Sequence, residues 1–152
     1  MHSKKTGVQK KIQELLEKTI QAELSDKGTL QRYDKSQNEL YLIASSGFSA
    51  PFLDHFKIVK PFDSSCCGRA FGVGRPICIN DVEEDVSFRP NLAIARGAGF
   101  RSVKSVPIIS EKGEKLGVVA IHYRLPKWDW QTTCPHLLNE IAALLSAQPI
   151  PV

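Results

Sequence analysis

Long apolar runs are missing from this sequence: nothing in it approaches the ~18 consecutive apolar residues that a membrane-spanning helix needs. The opening stretch, MHSKKTGVQKK, is basic, but no apolar segment follows it. It therefore lacks the form of a secretory leader, and a cytoplasmic address is expected. Cysteine is scarce. Four in 152 residues do not make a disulfide framework, and a chain of this length buries a core without such staples. Metal-ligand spacing is lacking as well: Cys66 and Cys67 are adjacent, Cys78 stands eleven residues on, and Cys134 and His136 are separated by one residue. No metal site is expected from that pattern. There is no internal repeat, no low-complexity segment, no catalytic triad, no carboxylate pair and no phosphate-cradling loop. The lone pair Gly72 and Gly74 lacks the rest of a dinucleotide fingerprint. Charge of one sign is also in short supply, the net being +4. Lys4, Lys5, Lys10, Lys11 and Lys18 against Glu14 and Glu17 put +3 of it in the first eighteen residues. Without interleaved aromatics that arm reads as a solvated helix start, so neither nucleic acid nor membrane is expected as a partner.

What is present is the composition of an ordinary soluble domain, 42% apolar and 24% charged. Residues 9–24, QKKIQELLEKTIQAEL, set Ile12, Leu15, Leu16, Ile20 and Leu24 at helical spacing and predict an amphipathic helix. GTLQRYD (28–34) and ELYLIASSG (39–47) alternate around KSQN and predict a hairpin. APFLDHFKIV (50–59) predicts a short helix, residues 64–73 another, and PICIND (76–81) a short strand. Residues 87–99 carry Pro90 early and Gly97 and Gly99 late, the start and stop signals of a helix. RSVKSVPIIS (101–110) and KLGVVAIHYR (115–124) flank EKGE as a second hairpin, and HLLNEIAALLSA (136–147) closes the chain with a second amphipathic helix. Hairpins imply an antiparallel sheet, and the mixed order implies α+β architecture. The expected layout is a basic flexible tail over 1–8, one domain over 9–147 and a short tail over 148–152.

Four segments in this order, GTLQRYD with LYLIASSGF (28–48), SCCGRAFGVGRPICINDV (65–82), AGFRSVKSVPIIS (98–110) and GEKLGVVAIHYRLP (113–126), resemble a GAF domain of the bacterial sensor type. The resemblance runs from about residue 9 to 147. It implies a GAF-like antiparallel sheet of five or six strands, with terminal helices on one face and a small-molecule pocket on the other. It also implies a sensory and regulatory module of signal transduction that binds a ligand and alters helix packing in a homodimer. The chain runs out as QPIPV with no output segment, so a stand-alone module with a separate effector protein is expected.

On that resemblance the ligand is ringed by Thr29 and Gln31 from the first strand, Phe48, Phe52 and Phe56 after the hairpin, and Cys66 and Cys67 at a helix start. Phe88, Leu92 and Phe100 come from the covering helix and its exit, Ser105 and Pro107 from one central strand, and Ala120 and His122 from the next. Alternation in VVAIHYR sets Val118, Ala120 and His122 on one face and Val119, Ile121 and Tyr123 on the other. Arg69, Arg89, Arg96 and Arg101 gather around the same segments. Arginine captures carboxylate and phosphate, so an anionic small molecule is the expected ligand, the rival being pairing with Asp63, Asp81, Glu83, Glu84 and Asp85. The sequence names no cofactor.

Two readings of the vicinal cysteines compete. Behind Ser64 or Ser65 as an N-cap, both thiols fall in a first helical turn, where the thiolate is favoured. Free cysteine is also among the most buried residue types, and the packing role is the one expected. The enzymatic alternative is a thiol redox protein similar to the free methionine-(R)-sulfoxide reductases, small GAF domains with cysteines in the pocket. Cys67 matches one of theirs, but residues 87–99 hold no cysteine where the further essential one belongs. No catalytic residue is assigned and no enzyme activity is expected.

Overall fold

A computed structural model describes residues 6–148. Of the tails expected over 1–8 and 148–152, only residues 6–8 and Gln148 fall within it. Helix α1, Gly7–Ala22, begins earlier than the predicted residue 9. Its first turn is closed by a capping box: Thr6 Oγ1 accepts from the Gln9 amide at 3.1 Å, and the Gln9 side chain accepts from the Thr6 amide at 2.8 Å. The stripe predicted for this helix loses its last member. Leu24 lies beyond the end with φ of 58° and is 89% exposed. The Leu24 amide donates to Gln21 O and the Ser25 amide to Ile20 O, a Schellman closure with leucine where glycine is usual.

Strands β1 (Lys27–Asp34) and β2 (Glu39–Ser46) form the predicted hairpin. Helix α2, Ala50–His55, is shorter than the predicted 50–59. The β-branched pair Ile58–Val59 instead forms edge strand β3, which pairs with Tyr41 and Leu40. Helix α3 (Cys66–Val73) follows its N-cap Ser65, and β4 (Ile77–Ile79) follows that. The single helix predicted for 87–99 divides into a 3-10 turn, Val86–Asn91, and helix α4, Leu92–Ala98. Pro90 lacks the amide that a continuous α-helix would use there. Strands β5 (Ser102–Ile109) and β6 (Lys115–Tyr123) form the second hairpin, and α5 (Pro135–Ala147) ends the fold.

The six strands form one antiparallel sheet in the order β3-β2-β1-β6-β5-β4. Strand alternation then sorts the core into two halves. On one face, Ile12, Leu15, Leu16 and Ile20 of α1 and Ile141, Ala142 and Leu145 of α5 pack on Leu30, Val106, Ile108, Val119 and Ile121. Truncating either fully buried leucine of α1 to alanine costs about 2–5 kcal/mol. On the other face, α2, α3 and α4 cover Val103, Val118 and Ala120. The α+β class, the sheet of six strands and the split between terminal and covering helices agree with the sequence expectation. Among the described residues no helix is long and apolar enough to cross a membrane.

Candidate functional site

The covering helices do not seal perfectly onto the sheet. Between them lies a cavity of about 20 Å³, lined by Thr29 and Gln31 of β1, Val103 of β5, His122 of β6 and Phe52 of α2. Phe56, Ser65, Cys66, Cys67, Phe88 and Phe100 complete the wall. That space holds about one water molecule. Each residue is where local geometry puts it. Period-two alternation turns Thr29, Gln31, Val103 and His122 to this face, while Leu30 and Ile121 turn to the other. A register shift between β1 and β2 falls at Leu30/Gln31. There β6 passes so close that a Cβ on Gly117 would stand 2.2 Å from Gln31 O, so the crossing requires glycine.

Aromatic rings fill most of the remaining room. Phe48 stacks on Phe52 at 3.6 Å between centroids with 8° between planes. Phe100 meets His122 edge-on at 4.7 Å, and Phe48 meets it at 4.9 Å. Over the rings, Asn91 ties three covering segments together. Its Oδ1 lies 2.9 Å from His55 Nε2 at the end of α2, and its Nδ2 donates to Ser64 Oγ at 3.0 Å ahead of α3.

The polar groups of the wall are unevenly served. Gln31, 1% exposed, donates through Nε2 to Phe56 O at 3.2 Å, but its Oε1 has no partner among the described residues. His122, 6% exposed, has an equally unpartnered Nδ1. Burial, reinforced by the charge on Lys27, pulls the His122 pKa down to about 3, so the ring is neutral at physiological pH.

The cysteines behave as packing residues. Burial pushes the Cys66 thiol up to about 12, outweighing the opposing pull of the Ser105 hydroxyl and Arg69. It raises Cys67 likewise, and neighbouring Cys66 adds to the effect. Cys66 Sγ donates to Ile77 O at 3.4 Å, and Cys67 Sγ lies 3.3 Å from Ser105 Oγ. Desolvation thus overrides the helix start that would have favoured a thiolate. Among the described residues no trio of histidine, cysteine or carboxylate groups is placed to hold a metal ion.

Of the residues predicted to surround a ligand, Thr29, Gln31, Phe52, Phe56, Cys66, Cys67, Phe88, Phe100 and His122 meet at the cavity wall. Phe48 stands outside it, stacked on Phe52. Leu92 and Ala120 pack in the same core without lining the space, Ser105 stands behind Cys67, and Pro107 is buried further along β5. Ser65 and Val103 line the cavity unpredicted. Val103 was within reach, since it shares the alternation that marks Ser105. The arginines are elsewhere. Arg69 pairs with Asp85 at 3.0 Å, Arg96 with Glu83 at 2.6 Å and Arg101 with Asp81 at 2.7 Å, while Arg89 is exposed. The Arg101 and Arg96 guanidiniums hold the Asp81 and Glu83 carboxyls below their ordinary range.

No curated protein matches this sequence. Solved structures do. The GAF domain of a phosphoenolpyruvate-protein phosphotransferase from Coxiella burnetii is 20% identical with a TM-score of 0.75, covering 94% of this chain and 84% of that one. A domain described as part of a two-component sensor histidine kinase of Sinorhizobium meliloti is 15% identical, TM-score 0.68, covering 94% and 91%. The free methionine-R-sulfoxide reductase of Neisseria meningitidis, solved with its substrate, is 18% identical, TM-score 0.60, covering 97% and 93%. These likenesses establish a shared fold. The GAF domain family model matches residues 11–148, and the chain belongs to the GAF domain family.

Proposed function

We propose that this GAF domain is a sensor: a small molecule enters beneath α2 and α4, and its presence is read out in the packing of α1 and α5 between two copies of the chain. The observation that carries the reading is the pair of buried, unpartnered polar atoms, Gln31 Oε1 and His122 Nδ1, on one cavity wall. A sealed core would leave such groups uncompensated at about 1–3 kcal/mol each. A route from cavity to helix supports the readout. His122 faces the cavity, Tyr123 beside it donates through its hydroxyl to Glu23 O at 2.7 Å, and Ser25 Oγ donates to His122 O. Movement of β6 at His122 is therefore felt at the end of α1. Half-buried Val8, Leu137, Leu138 and Leu144 leave apolar area on the terminal helices for a second copy. A separate effector protein would read the pair.

The acidic ligand expected from the arginines gives way to an uncharged one in this reading, because three of the four are engaged by carboxylates outside the cavity. Native mass spectrometry of the chain isolated from its own cells tests the sensing role. Dimers in which a fraction carries a small adduct, lost on unfolding, are expected; bare monomer at every micromolar concentration overturns it.

A further inference from the structure

Resting on that sensing role, we propose that the guest is an uncharged aromatic molecule bearing an O–H or N–H donor, whose ring occupies the space vacated by Phe52 and whose donor bonds Gln31 Oε1. Three observations converge on it.

The first is the demand for a donor. The Gln31 amide is pinned by its Nε2 bond to Phe56 O, which leaves Oε1 as a fixed acceptor on the wall. Only a hydrogen-bond donor satisfies an amide oxygen. The second is charge. Among the described residues no lysine, arginine, aspartate or glutamate lines the cavity. An anion placed there would lose its hydration with no cation to replace it, the most costly transfer a buried group can make. The third is shape. The free space in the cavity holds about one water, so any larger guest must displace a side chain.

Phe52 is the side chain placed to leave. It sits on α2, a helix of six residues whose N-cap Ser49 makes no side-chain capping bond. Phe56 is the C-cap of the same helix and its carbonyl accepts from Gln31; the rest of the wall lies on the long strands of the sheet, on the Ser65-capped start of α3, on the Asp85-capped turn or, for Phe100, just past α4. When the Phe52 side chain turns out of the core, with Phe56 at the α2 C-cap and its carbonyl left in place, it leaves a hole of one phenyl ring, bounded by Phe56, Phe100 and His122. A guest ring restores the edge-to-face contacts with Phe100 and His122. An aliphatic guest does not.

A matched series of single-ring probes tests the proposal on the intact chain: phenol, toluene and benzoate, titrated at millimolar concentration by NMR and thermal denaturation. Phenol is expected to raise the melting temperature and to shift the Gln31 side-chain amide signals. Toluene is expected to bind about tenfold more weakly, the loss of one buried hydrogen bond, and benzoate to leave the protein unchanged. In Gln31→Met, phenol and toluene are expected to bind alike; should that variant not fold, the wild-type Gln31 amide shifts serve instead. Benzoate binding as well as phenol, toluene binding as well as phenol, or phenol binding without touching Gln31 each overturns the guest's chemistry. Failure of all three probes overturns the ring exchange. The sensing role is judged apart from these outcomes, by the adduct found on protein from its own cells.

Discussion

Lowering the pH should weaken this fold in a window that His122 sets. Burial on the cavity wall, with Lys27 nearby, holds the folded-state pKa at about 3, against ~6.5 in the unfolded chain. Protons then bind the unfolded chain better than the folded one. Stability is complete above the unfolded value, declines as pH falls through ~6.5, and levels off only near the folded value. Between pH 8 and pH 5 the linkage amounts to about 2 kcal/mol, one pKa unit being 1.36 kcal/mol. The Asp81 and Glu83 carboxyls lie below their ordinary range and titrate at lower pH. Urea unfolding at pH 8, 7, 6 and 5 reads the effect, and His122→Phe should flatten the profile while keeping the edge-on contact with Phe100. A direct check is the His122 ring signal in NMR, which should not titrate above pH 5. A profile flat in the wild type, or a His122 signal titrating near pH 6.5, refutes the burial argument.

Three further outcomes follow from other parts of the fold. Lys104 and Glu23 form a buried ion pair, 3% and 4% exposed, which Gln131 O and Thr133 Oγ1 complete at 2.8 and 2.7 Å. Lys104→Met should cost about 3–5 kcal/mol in urea unfolding, and adding Glu23→Met should recover most of it. Leu24→Gly should raise stability by about 1 kcal/mol, since an exposed leucine at φ of 58° carries strain and no burial. Cys66 and Cys67 should resist iodoacetamide at pH 8 while exposed Cys78 reacts, and free methionine sulfoxide with dithiothreitol should show no turnover; fast alkylation of Cys67 together with turnover would restore the reductase alternative.

The scaffold was legible wherever one local rule governed a long segment. Alternation in VVAIHYR separated His122 from Tyr123, and the two lie on opposite faces with opposite tasks. Helical spacing found the buried stripe of α1 through Ile20 but carried it on to Leu24, because spacing does not register the turn by which Ser25 and Leu24 close the helix. Short elements set by tertiary pairing stayed hidden. Ile58 and Val59 become a strand only because Tyr41 and Leu40 lie beside them. The cavity wall was legible in Thr29, Gln31 and His122 on the strands and in Phe52, Phe56, Phe88 and Phe100. The arginines were legible only as two alternatives, anion capture or pairing with nearby acidic residues, and three of them pair with Asp85, Glu83 and Asp81; sequence proximity does not say which guanidinium finds which carboxylate. Nor does a run such as FRPN announce that Asn91 will bridge His55 and Ser64.

Amide hydrogen exchange under native conditions tests most directly whether the hollow opens to admit a guest. The amides of α2 and of residues 86–98 are expected to exchange through local openings far smaller in free energy than global unfolding. Those of β1, β5 and β6 should exchange only when the whole domain unfolds. Protection of α2 equal to that of the central strands would mean a permanently closed core, and would contradict the account.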